Sequence, residues 1–270
     1  MSQVILITGA SSGIGKICAE HLADNGFIVY GTSRKEMSGK KSFHPLQMDV
    51  TDMESIKKGV SGIINDQGKI DIVINNAGVG IAGALELATM DEARLQMETN
   101  FMGTANVCSA VIPYLKQRPD AKIINISSVG GIMGIPFQGL YSASKFAVEG
   151  YSETLRMELN QFGIKVVLIE PGDFNTGFTY NRRLSEKTII HPDYKDAFNR
   201  AIEIINEDEL NGADPERIAR LVRKIIMKKN PGFRYVTGHL SQVLLAYLKK
   251  IMPVNWYQSI MRSHYQINGH

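Results

Sequence analysis

Hydrophobic positions along the chain come in runs of two lengths. Short, unbroken apolar runs occur at VILIT (4–8), FIVYGT (27–32), IDIVIN (70–75), KIINIS (122–127) and IKVVLIE (164–170), with longer amphipathic stretches between most of them. A run too short for a helix and apolar at every position, rather than at alternate ones, predicts a strand covered on both faces. Weaker runs at LQMDV (46–50) and FRYVTG (233–238) bring the expected count to seven. The pattern predicts an α/β fold: one doubly wound parallel sheet, with helices on both faces.

Two segments break the rhythm. Residues 177–212 form a polar and aromatic insertion ahead of a helix that opens at Asp214-Pro215, an Asp cap followed by Pro at the first helical position. Residues 239–270 form an extension with a helical stripe at Leu240, Val243, Leu244, Tyr247, Leu248 and Ile251. The expected domain is 1–238, including the insertion, with the extension packed on it. The stripe predicts packing against the core or another subunit. A second reading, with Lys249-Lys250 and Trp256, rests that face on a membrane surface.

Length and composition narrow the picture without redirecting it. A chain of 270 residues, 44% hydrophobic and 21% charged, is an ordinary globular protein with room for one large core. Its net charge of +3 comes with scattered basic residues, so no nucleic-acid partner is expected. Cys18 and Cys108 fit no metal spacing and are expected as buried, reduced thiols. With no secretory leader pattern and no long apolar window, the expected location is cytoplasmic.

The chemistry begins after the first strand, at Thr8-Gly9-Ala-Ser-Ser-Gly13-Ile-Gly15. Glycines there allow a tight turn and the close approach of backbone to a pyrophosphate at a helix N-terminus. At the end of the second strand a carboxylate would accept from the adenosine ribose hydroxyl, whereas an arginine accommodates a 2′-phosphate. The sequence has Ser33-Arg34-Lys35 at that place and no acid before Glu36, which predicts NADP(H) over NAD(H). Further on, Tyr141 and Lys145 stand four residues apart, on one face of an expected helix. No metal site is expected; His191 reads as a loop residue.

These stretches, with Asp49-Val50, NNAG (75–78), the Asn of TNFMG (99–103), SSVGG (127–131), YSASK (141–145) and PGDFNTG (171–177), resemble the short-chain dehydrogenase/reductase family, in its steroid and retinol dehydrogenase-like branch. The motifs cover residues 1–176, and the general layout extends to Gly238. The resemblance implies Tyr141 as acid/base, Lys145 lowering its pKa and holding the nicotinamide ribose, Ser128 bonding the substrate oxygen thirteen positions before Tyr141, and Asn100 supporting a water relay. It implies cofactor contacts at Gly9, Ser11, Ser12, Gly13, Ile14 and Gly15; Asp49 and Val50 at the adenine; and Asn75, Asn76, Ala77 and Gly78 along the central strand. Pro171, Gly172, Phe174 and Thr176 would hold the nicotinamide end.

Substrate contacts are expected from Val129, Ile132, Met133, Ile135, Pro136, Phe137, Phe174, Phe178 and Tyr180, an apolar wall with few fixed charges. The expected activity is hydride transfer to or from a hydrophobic steroid, retinoid or other carbonyl. A long-chain lipid ketone and a non-catalytic cofactor sensor are the alternatives. A homo-oligomer is expected from apolar faces on the helices starting near Asp91 and Tyr141.

Overall fold

The computed structural model describes residues 2–249 and 251–267. Lys250 and residues 268–270 of the expected extension lie outside it. In chain order the elements are β1 (Val4–Ile7), α1 (Gly13–Asp24), β2 (Ile28–Ser33), β3 (His44–Gln47), α2 (Met53–Gln67), β4 (Ile72–Asn75) and β5 (Ile81–Ala82). Then follow α3 (Met90–Met97), α4 (Gly103–Leu115), β6 (Lys122–Ile126), α5 (Gly139–Leu159), β7 (Lys165–Pro171), α6 (Phe178–Asn181), β8 (Arg183–Leu184) and α7 (Glu186–Ile190). The chain closes with α8 (Lys195–Leu210), α9 (Glu216–Met227), β9 (Arg234–Thr237), α10 (Leu240–Leu248) and α11 (Val254–His264).

Seven strands form the main sheet in the order β3-β2-β1-β4-β6-β7-β9, every pair parallel. The unbroken apolar runs have their explanation here: β1, β4 and β6 are buried at every position. The core below one face gathers Ile56, Val60 and Ile63 of α2, Val107, Val111 and Leu115 of α4, and Leu155 and Leu159 of α5. The core above the other gathers Cys18 and Leu22 of α1 with Ile218, Val222, Ile225 and Ile226 of α9. Each such aliphatic side chain contributes about 1.5–3 kcal/mol when removed from water. Both cysteines are buried and unpaired, as expected.

Strand β3 lies a little earlier than the LQMDV run. At the sheet edge only residues 44–47 pair with β2, while Met48 and Val50 turn inward behind them. The helix expected at Asp214-Pro215 opens one residue later, at Glu216 with Pro215 as its cap residue, and the Asp214 carboxylate accepts from the Glu216 backbone N–H at 3.0 Å. The insertion is more ordered than its polar composition suggests. It supplies α6, β8, α7 and α8, with β8 pairing with β5 in a two-stranded parallel ribbon. A third apolar core, away from the sheet, joins Val129 and Met133 to Phe198, Ile202 and Ile205 of α8 and to Tyr257, Met261 and Tyr265 of the extension.

Sheet order reverses on either side of β1: β2 lies on one flank and β4 on the other. Crossover connections leave in opposite directions there, so the carboxyl ends of the strands open a crevice, the place where doubly wound sheets bind their ligands. The loops after β1, β2, β4, β6 and β7 all meet at it.

Candidate active site

The nucleotide end of the crevice is built by two interlocked loops. Thr8 Oγ1 accepts from the backbone N–H groups of Asn76 (2.9 Å) and Ala77 (3.0 Å), and Asn76 Nδ2 donates back to the carbonyls of Thr8 (3.0 Å) and Gly9 (3.1 Å). Gly9 has φ +70°, and a Cβ there would lie 2.8 Å from Ala77 Cα. A Cβ at Gly15 would strike Asn76 Nδ2 and the Gly9 carbonyl. Ser12, the N-cap of α1, makes no side-chain cap bond, so the first-turn N–H groups and the positive end of the helix remain for an anion. A cradle that only glycines permit, below an uncapped helix N-terminus, fits a dinucleotide pyrophosphate.

Around the reacting centre, Ser128 ends the loop after β6 and caps a short 3-10 turn: its Oγ accepts from Gly130 N at 3.0 Å and lies 3.4 Å from the Pro171 carbonyl. A Cβ on Gly130 would lie 3.2 Å from Tyr141 Cε1 and 3.4 Å from Ser128 Oγ, so the phenol and the hydroxyl flank one glycine. One turn along α5, the Lys145 ammonium is 5.8 Å from the Tyr141 ring centre and donates to the Ile126 carbonyl at 2.9 Å. Burial pushes the Tyr141 phenol up to about 12, with the Ser128 hydroxyl opposing it. Burial pulls Lys145 down to about 8, with Glu149 opposing. The phenol is therefore protonated at neutral pH, the state required of a group that gives a proton to a carbonyl oxygen. Ser128 and Arg182 are the groups that oppose the rise, and Lys145 is not one of them.

Asn100 sits in a π-helical turn, Glu98–Met102, between α3 and α4. Such a turn re-aims a side chain out of helical register. Its Oδ1 accepts from Val79 N (2.8 Å), and its Nδ2 donates to the Val79 carbonyl (3.0 Å) and to Ser144 Oγ (3.1 Å). Asn100 thus ties the loop after β4 to α5 from behind the crevice and does not line it.

One cleft of about 930 Å³ runs from Arg34 to Tyr265. It gathers Gly9, Ser11, Ser12, Gly13 and Ile14; Ser33, Arg34 and Val50; Asn76, Ala77 and Gly78; Ser128, Tyr141 and Lys145; and Pro171, Gly172, Phe174 and Thr176. Four expected residues stand outside its wall. Gly15 acts through close packing, Asn100 as described, and the Asp49 carboxylate is engaged by the N–H (2.9 Å) and hydroxyl (2.8 Å) of Thr51 at the approach to α2. Asn75, within β4, is bonded to Asn125 at 2.8 Å.

The substrate side differs from the expected apolar wall. Val129, Ile135, Phe174, Phe178 and Tyr180 do line it, but Met133 is buried and Phe137 stacks edge-on against Phe198, 5.4 Å between ring centres, in the third core. Charged residues from distant segments line it too: Asp173, Arg182, Arg183, Asp208 and Glu209, with Tyr265. Arg182, its side chain 1% exposed, pairs with Glu209 and donates to Asn206 at 2.8 Å. Asp173 is held by Gln242 of α10. Its carboxyl is pushed up to about 6, by burial first, with Glu209 and Asp208 adding repulsion and the Gln242 bond opposing. Aromatic and charged residues clustered in the insertion were the one available signal for this wall; their convergence on Asp173 is a product of the fold.

Comparison with known proteins bears on the family and the fold. Residues 3–187 match the short chain dehydrogenase family. The chain is 54% identical over 265 residues, 98% of each chain, to a 3-ketodihydrosphingosine reductase of Bacteroides thetaiotaomicron. It is 33% identical over 246 residues, 86% of this chain and 87% of the other, to an NADPH-dependent 3-dehydrocapnine reductase of Ornithobacterium rhinotracheale. Among solved structures, a short-chain dehydrogenase from Streptomyces avermitilis superposes with a TM-score of 0.81 at 29% identity, covering 97% of this chain and 98% of that one. The chain belongs to the short-chain dehydrogenase/reductase family and is an oxidoreductase.

Proposed function

We propose that the protein reduces the ketone of a long-chain amino ketone of the sphingoid-base type, with NADPH as reductant. The observation that carries the substrate class is the cleft wall beyond Tyr141, where carboxylates stand among aromatic and aliphatic side chains. Glu209 pairs with Arg182 and Asp208 with His264, which leaves Asp173 as the acid of this wall without a basic partner among the described residues. A steroid ketone has no cation to offer it, whereas an amino ketone has an ammonium beside the carbonyl. Asp173 keeps Oδ1 without a hydrogen-bond partner among the described residues, while Oδ2 is taken by Gln242. The names carried by the two relatives, both reductases of long-chain keto compounds, support the same choice.

NADPH would supply the hydride. The chain's own residues would do the rest: Ser128 donates to the ketone oxygen, Tyr141 delivers the proton, and Lys145, fixed on the Ile126 carbonyl, stands at the ribose side. Arg34, Lys35 and Lys41 line the far end of the cleft beyond β2, a cationic surface suited to a 2′-phosphate. The test is turnover of a 3-keto sphingoid base against a steroid ketone, followed by NADPH consumption and by mass spectrometry of the alcohol. The expected result is a clear preference for the amino ketone. Equal or better turnover of the steroid would overturn the substrate class, and tight NADPH binding without turnover of any ketone would favour a cofactor sensor instead.

A further inference from the structure

The extension turns apolar side chains outward. On α10, Leu240, Leu244, Tyr247 and Leu248 are exposed, and Ile251 continues the row at helical spacing. On α11, Val254, Trp256 and Ile260 are exposed as well. Leu240 is 84% exposed and Ile251 81%, whereas a surface helix ordinarily turns charged and polar residues to water. Of the two packings expected for the stripe, the one against the core is not seen: Leu240, Leu244, Tyr247 and Leu248 face out, and Ala246 is the fully buried position of α10.

The inner side of the same helices roofs the cleft. Gln242 holds Asp173, Lys249 donates to the Ile132 carbonyl, Tyr257 donates to the Gly134 carbonyl at 3.0 Å, and Tyr265 lines the cleft. The outward apolar face and the residues that roof the cleft therefore lie on opposite sides of the same two helices.

Charge selects the occupant. Residues 239–270 contain Lys249, Lys250 and Arg262 and no Asp or Glu. The remaining 27 basic residues equal the chain's 27 carboxylates in number, so the whole net charge of +3 lies in the extension. A two-fold contact with a second copy would bring together two extensions that carry basic residues and no acid. An anionic lipid surface offers an apolar layer and the opposite charge together. Among the described residues no helix is long and apolar enough to cross a membrane, which leaves contact at the surface. We propose that the outer face of α10 and α11 docks on an anionic lipid bilayer and sets the cleft beside it. Delivery of a lipid ketone by this contact rests on the substrate proposed above; the docking itself does not.

The experiment mixes purified protein with vesicles of equimolar phosphatidylcholine and phosphatidylglycerol, or of phosphatidylcholine alone, with no ketone present. Trp256 is the chain's single tryptophan and is 68% exposed, so its emission reports on this face. Expected are co-sedimentation with the anionic vesicles and a shift of emission to shorter wavelength, with binding to neutral vesicles weaker by roughly tenfold. A Leu244→Glu/Ile251→Glu variant alters two exposed positions; its vesicle binding should fall by roughly tenfold or more. Its turnover of a water-soluble short-chain ketone and its sedimentation coefficient should not change. Failure of the wild type to bind anionic vesicles, or equal binding by the variant, would overturn the proposal. So would dissociation of an oligomer by the variant, which would assign the face to a second copy. Lost docking with retained reduction of the lipid ketone would leave the proposed activity standing, and the reverse result would overturn only that activity.

Discussion

Removing one oxygen from Tyr141 isolates the proton donor, because its ring still packs 5.7 Å from that of Phe178. Tyr141→Phe should lower turnover by roughly 10²–10⁴-fold, the range of general acid catalysis, with NADPH affinity and melting temperature nearly unchanged. Parallel loss of affinity and activity would make the residue structural. At the other end of the cleft, Arg34→Ala should weaken NADPH binding by about 1.5–3 kcal/mol, the range for hydrogen bonds to charged groups, while sparing NADH. Equal loss for both cofactors would sink the 2′-phosphate assignment. Asp173 adds a pH dependence with a definite sign. Its carboxyl is raised to about 6, so it becomes an anion only as the pH rises through that value. KM for an amino ketone should therefore fall between about pH 5 and 7, while KM for a neutral ketone of the same chain length should not. A common profile for the two would remove Asp173 from ammonium recognition.

Among the elements, the strands of the main sheet were legible because burial on both faces leaves an unbroken apolar run in the sequence, as in β1, β4 and β6. Ser128, Tyr141 and Lys145 were legible for a related reason: a strand end and the first turns of α5 fix their relative positions locally. Residues Asp173, Asp208 and Glu209 were not, since they come from a loop and a helix distant in the chain that meet only in the fold, where Asn175 Nδ2 donates to the Leu210 carbonyl at 2.9 Å. Nor were β5 and β8, whose two residues each are too short to show a period. A charged residue inside an apolar strand carried a message that periodicity does not decode. Glu170 of β7 is fully buried, next to Glu149 of α5, and Arg234 of β9 bridges both. Burial, then repulsion from Glu149, raises its carboxyl to about 7, with Arg234 opposing. The folded state therefore binds more protons than the unfolded chain between the usual carboxylate range and about pH 7, and stability falls as pH rises through that window. Glu170→Gln removes this contribution, so the variant's melting temperature should gain on the wild type from about pH 5 to about pH 7. A constant difference across those values would show that Glu170 does not titrate there.

For the molecule as a whole, the division into cores sets an order of unfolding. Cys108 lies in the core below the sheet and Cys18 in the core above it, and the two cores share the seven parallel strands as their common wall. Neither core can open without exposing that sheet, so both thiols should become reactive to an alkylating reagent in one transition as denaturant rises. The third core has no such wall. It joins α8, the turn after Ser128 and the extension, and side-chain bonds tie it to the rest, among them Gln242 to Asp173, Arg182 to Glu209 and Asn206, and Asn175 to the Leu210 carbonyl. A unit with a small core and an exposed outer face opens at lower free energy than the sheet beneath it. Amides of α8, α10 and α11 should therefore exchange with solvent at denaturant concentrations where Cys18 and Cys108 remain unreactive. A ligand that occupies the cleft touches Asp208, Glu209 and Tyr265, so saturating substrate should slow that exchange through mass action on the closed state. If these helices exchange at the rate of β1, β4 and β6, the roof of the cleft unfolds with the sheet, and substrate access must come from smaller motions within the closed fold.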